Sequence, residues 1–188
     1  MLHHEISGNG KKPLVLLHGF MENTTIWNEM EAHLSKDFTL IKIDLPGHGK
    51  SKVYQEIHTV ELMAEKVKEV IDALKLEKIN LLGHSLGGYV SLAFAEKFPE
   101  ILESMTLFFS TTVADDEEKK QIRRRSIAVI DENFETFIKT SIPNLFSNNE
   151  KDILESKIEL AKNIAKSTNK EGVKAAQLGM AERPDRTE

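Results

Sequence analysis

Over the first 112 residues, short apolar runs alternate with helical stripes. Leu14-Val15-Leu16-Leu17 is a compact apolar run ending at His18-Gly19, the pattern of a strand buried on both faces. Residues 39–44 are β-rich and stop at Pro46-Gly47, a turn signal. Residues 79–82 run into Gly83, residues 105–109 run into Ser110-Thr111-Thr112, and a weaker strand lies within residues 2–7. Residues 60–74 carry apolar side chains at 60, 63, 64, 67, 70, 71 and 74, the stripe of a helix lying on a sheet, with Thr59 as N-cap. Helices are also expected over 25–34 and over 86–98, the latter stopped by Pro99. Strands alternating with helices make this an α/β fold, with a mostly parallel sheet and helices on both faces.

After Thr112 the strand signal stops. Apolar periodicity predicts helices over 116–140 and 152–166 and a third piece over 171–180, with breaks at 142–144 and 147–149. Composition changes at the same place. Residues 115–188 carry 29 charged side chains in 74, against 26 in the preceding 114, and all five arginines lie beyond residue 122. We therefore expect a core over 1–112, a helical cap over 113–180 and a return segment over 181–188.

The absence of cysteine among the 188 residues excludes disulfide scaffolds and cysteine nucleophiles, and a net charge of −5 gives no general pull toward nucleic acid or anionic membrane. No apolar run approaches the roughly 20 residues needed to span a bilayer. The N-terminus has neither the basic start nor the apolar stretch of a signal peptide, which points to the cytoplasm.

The strongest chemical signal is Gly83-His84-Ser85-Leu86-Gly87, a nucleophile-elbow pattern between a predicted strand and a predicted helix. Small flanking residues allow a strained turn that lifts the serine hydroxyl to the N-terminal end of the helix, where free N–H groups favour developing negative charge. His18-Gly19-Phe20 follows the first confident strand, and the backbone N–H groups of Phe20 and Leu86 are the natural pair for an oxyanion hole. His18 reads as a loop-holding histidine rather than a base. Gly49-Lys50-Ser51 imitates the end of a phosphate loop, but that motif needs glycine where Asp44 stands. Arg123-Arg124-Arg125 reads as a solvated helix face balanced by the preceding acids, and Trp27 and Met30 as core.

Leu16–Phe20, then Asp44–Ser51, then Gly83–Gly88 resemble the three ordered signatures of the α/β-hydrolase fold superfamily over essentially the whole chain. The resemblance implies Ser85 as nucleophile, the Phe20 and Leu86 amides as oxyanion hole, a cap over the pocket, and neither metal nor organic cofactor. His18, Gly19 and His84 fall at the expected substrate pocket. Phe134, Phe137 and Ile138 are its candidate cap wall, though they would serve equally to pack the cap.

The sequence departs from that pattern in one respect. The family order is Ser, then acid, then His, and all seven histidines (3, 4, 18, 33, 48, 58, 84) lie at or before His84. His48 and His58 read as loop residues, and Asp115 and Asp116 as acids at a helix N-terminus. The expectation is a fold lacking its last two strands and their helices, about 60–90 residues at about 30 per βα unit. The expected function is serine hydrolysis of a small or medium uncharged carboxylic ester, weak or absent in these residues alone. A non-catalytic ligand-binding module is one alternative. Another is a lyase of menaquinone synthesis, which usually carries Arg where this chain has Tyr89. The unpaired 105–109 edge predicts self-association or a complementing C-terminal fragment.

Overall fold

The apolar runs assemble into one five-stranded sheet. In the computed structural model, which describes residues 1–188, the strands are β1 (His4–Ser7), β2 (Lys12–Leu17), β3 (Phe38–Ile43), β4 (Ile79–His84) and β5 (Leu102–Phe108). Their order is β1-β3-β2-β4-β5; β1 runs antiparallel to β3 and the other neighbours are parallel. Leu17 pairs with both Ile43 and Gly83, so β2, β3 and β4 end level. The loops that follow them rise side by side at the carboxyl edge of the sheet, where α/β folds place their ligands.

Strand alternation explains why β2 is apolar throughout. Val15 and Leu17 face the larger core with Ile41, Ile43 and Leu81, while Leu14 and Leu16 face a second cluster with Trp27 and Leu40. The second face is covered by a 3-10 turn at Thr24–Trp27 and α1 (Asn28–Leu34). The first is covered by α2 (Val60–Ala73) and α3 (Leu86–Lys97). The stripe of α2 buries Val60, Met63, Ala64, Val67, Val70 and Ile71, and Thr59 caps the helix by accepting the Leu62 N–H at 3.1 Å. Each of these side chains except Ala64 contributes about 1.5–3 kcal/mol through burial. No helix is long and apolar enough to cross a membrane.

Residues beyond 112 are helical, with one correction to the expected pattern. The stretch predicted as a single helix over 116–140 is two, α4 (Glu117–Glu132) and α5 (Phe134–Ser141). Asn133 leaves helical geometry at φ −154° and its side chain accepts the Thr136 N–H, so a local side-chain bond starts a new helix where apolar periodicity ran on. A 3-10 turn at Ile142–Leu145, α6 (Glu155–Ser167) and α7 (Lys170–Glu182) follow. Ile130, Phe137, Ile138, Ile142, Ala165 and Val173 form a small core seated on Met21. α7 also contributes Ala176 and Met180 to the main core.

The last residues lie back along the start of this segment. The Arg186 N–H donates to the Thr112 carbonyl at 3.0 Å and the Ala114 N–H to Asp185. The Arg186 guanidinium spans Glu61 of α2 and Glu96 of α3 at 2.6 and 2.9 Å.

Candidate active site

Ser85 closes β4 and opens α3 at φ 49° and ψ −111°, a left-handed conformation that costs a non-glycine residue about 1–3 kcal/mol. The surroundings hold it there. Its N–H donates to the Phe108 carbonyl at 3.0 Å, and Ser110 Oγ donates to its carbonyl at 2.9 Å. Two glycines allow the required approach. A Cβ at Gly83 would lie 2.3 Å from the Gly87 carbonyl oxygen, and one at Gly87 would lie 2.3 Å from that of Leu17.

The loop after β2 is anchored from behind by His18, whose side chain is fully buried. The Leu45 N–H donates to His18 Nε2 at 2.9 Å, which leaves the proton on Nδ1, donated to the Gly19 carbonyl at 2.8 Å. Burial pushes its pKa down, so the ring is neutral and both nitrogens are committed. The loop after β3 closes on Asp44, whose carboxylate accepts the Thr24 and Lys50 N–H groups at 2.8 and 2.9 Å. That carboxylate fills the space where a phosphate would have to sit.

Glu22 joins the two halves of the site. Its Oε2 accepts the Gly19 N–H at 2.5 Å and stands 2.9 Å from His84 Nδ1, so one carboxylate ties the β2 loop to the serine turn. Sequence reading did not single out Glu22. The amides of Phe20 and Leu86 donate to no other group of the protein, and Ser85 Oγ makes no hydrogen bond to a histidine or carboxylate.

Ser85 opens on a cavity of about 590 Å³. Phe20, Glu22, His84, Tyr89 and Phe109 line it from the sheet side; Ile142, Leu145, Phe146, Ala161 and Ile164 line it from the helices beyond residue 112. Arg123 of α4 brings a charged side chain to its wall. Of the residues expected at the pocket, His84 lies on the wall, whereas His18 and Gly19 stand behind it. Phe137 and Ile138 are buried in the small core around Met21 and Phe134 packs against it; the chain reaches the cavity further on, through Ile142 and Phe146.

A family model described as alpha/beta hydrolase fold matches residues 12–154. Among solved structures, the chain is similar to a thermophilic esterase from Thermogutta terrifontis in its malate-bound form. The identity is 36% and the TM-score 0.93, over 99% of this chain and 69% of that one. It is also similar to MenH from S. aureus, at 21% identity and a TM-score of 0.81 over 98% of this chain and 74% of that one, a likeness of fold. An uncharacterized protein of Mycobacterium tuberculosis is 35% identical over 111 residues, which make up 59% of this chain and 32% of the relative. The chain thus matches about a third of that curated relative and about seven-tenths of the esterase.

Proposed function

The chain belongs to the α/β-hydrolase fold family, and from that premise we propose that it is a serine hydrolase of small or medium carboxylic esters. The observation that carries the reading is the strained Ser85 turn beside two unspent amides at the floor of a largely apolar cavity. Ser85 Oγ attacks the ester carbonyl carbon, and the carbonyl oxygen takes up negative charge facing the Phe20 and Leu86 N–H groups. Collapse expels the alcohol and leaves an acyl-serine. Water then attacks that carbonyl, releasing the acid and restoring the hydroxyl. The cap supplies the apolar wall that orients the ester and limits bulk water.

The Ser85 proton needs a base, and no histidine hydrogen-bonds to the Ser85 hydroxyl. Both His18 nitrogens are bonded, and His84 Nδ1 faces Glu22. Serine without a base loses several orders of magnitude in turnover, so the 188 residues alone are expected to be slow. Incubation with a fluorophosphonate and with a chromogenic short-chain ester tests the reading. We expect a Ser85-linked adduct by peptide mass spectrometry, and loss of both the adduct and serine-dependent turnover in Ser85→Ala. Ester hydrolysis unchanged in that variant would overturn it.

The free Ser85 hydroxyl also favours a second reading, a binding module that holds its ligand without turnover. That reading predicts ligand binding with no adduct at Ser85. Lyase chemistry of the MenH type is the less favoured alternative: Tyr89 stands on the cavity wall with its ring 4.0 Å from the Arg183 guanidinium.

A further inference from the structure

The three consecutive arginines do not share one environment. Arg124 and Arg125 are exposed, as expected of a solvated face, but Arg123 turns inward onto the wall of the cavity that holds Ser85. Its Nε donates to Asp115 Oδ2 at 2.5 Å, and its Nη1 to Gln177 Oε1 at 3.2 Å, with Met180 Sδ at 3.4 Å. The other oxygen of Asp115 takes buried Arg183 at 2.9 Å.

Two guanidiniums therefore share one carboxylate. Burial alone would push the Asp115 carboxyl up. The hydrogen bonds and charges of Arg123 and Arg183 outweigh this and hold it below the usual carboxylate range, so it is ionised at neutral pH. The cluster carries one net positive charge. The carboxylate on the cavity wall, that of Glu22, already serves Gly19 and His84. Arg123 Nη2 makes no hydrogen bond within the protein, and the cavity it lines is otherwise walled mostly by apolar side chains such as Ile142, Phe146 and Ile164. A partly buried guanidinium with a spare donor on the wall of a largely apolar cavity is well placed to meet an anion entering it, and its planar fork matches a carboxylate. The adjacent Asp115 leaves a single positive charge, which suits a carboxylate monoanion better than a phosphate dianion.

We propose that Arg123 is an anion subsite, and that the pocket takes esters bearing a free carboxylate, such as half-esters of short dicarboxylic acids. The carboxylate is held at Arg123 while the ester carbonyl lies at Ser85. This revises the uncharged ester expected from sequence. It rests on the hydrolase reading only for the ester; the subsite itself is a matter of binding.

The test is calorimetric titration of the full chain carrying Ser85→Ala, which prevents turnover, with monoethyl glutarate and with diethyl glutarate. We expect the monoester to bind at least about tenfold more tightly. The preference should vanish in Arg123→Gln and survive in part in Arg123→Lys. Asp115 keeps Arg183 in both variants, and circular dichroism verifies their fold. Equal affinities, a preference that survives Arg123→Gln, or no binding of either ester overturns the subsite. Fluorophosphonate labelling of the unmodified chain reports separately on hydrolysis, so a carboxylate preference without a Ser85 adduct keeps the subsite and removes the esterase.

Discussion

His18, His48 and His58 are neutral imidazoles enclosed beneath the site, and they make the fold sensitive to acid. Burial pushes all three pKa values down, that of His48 to about 3; His48 Nδ1 meets the Pro46 carbonyl at 3.0 Å and its Nε2 has no partner. Below about pH 6.5 the unfolded chain binds protons that the folded chain refuses. The stability these rings support is therefore complete above that pH and falls as pH drops, by up to about 1.4 kcal/mol per pH unit for each ring. The depressed carboxylates, Asp115 and Glu61 among them, enter only below about pH 4.5. Urea unfolding at pH 7 and pH 5 isolates the histidines: stability should drop over that interval, and less so in His48→Gln. A flat profile would remove the argument. At this scale the serine turn was legible in sequence, because small residues at fixed spacing around Ser85 report a local backbone geometry. Glu22 and Arg123 were not. Their partners His84 and Gln177 lie 62 and 54 residues away, and only the packed fold brings them together.

Among the elements, β2 was the most readable, since Leu14–Leu17 are buried on both faces and leave no polar side to confuse the period. β4 alternates buried Ile79 and Leu81 with partly buried Asn80, Leu82 and His84. β5 begins three residues earlier than expected because Glu103 and Ser104 are exposed on the sheet edge and interrupt the apolar run. α4 and α5 read as one helix because their apolar stripe continues through Asn133. α7 reads as cap from its composition, yet its small residues seat it on the core. A Cβ at Gly172 would lie 2.2 Å from the Gly47 carbonyl oxygen, and one at Gly179 would lie 1.7 Å from that of His58. Alanine normally stabilises a helix relative to glycine by about 1 kcal/mol. In Gly179→Ala the collision should reverse that sign and destabilise the chain by about 1–3 kcal/mol as α7 is pushed away. Thermal unfolding checks it, and an unchanged or raised Tm would show that α7 docks more loosely.

The whole molecule has an uneven surface. β5 is an edge strand, and Met105, Phe108 and Phe109 around it are exposed, Phe109 by 81%. Unpaired backbone beside apolar side chains is a template for another strand. We propose that a second copy takes it up: sedimentation equilibrium should show association rising with concentration, weakened by Met105→Lys. A concentration-independent monomer would count against this. A different consequence follows from the contact between Arg186 and Thr112. Residues 112 and 186 lie side by side, while α7 between them stays packed on the main core through Ala176 and Met180. α4, α5 and α6 pack chiefly on one another and on α7 rather than on the strands, so their side chains can change with little effect on the register of β4 or the bend at Ser85. We propose that a change at Arg123 shifts which anions the cavity admits while leaving the backbone turn at Ser85 as it is.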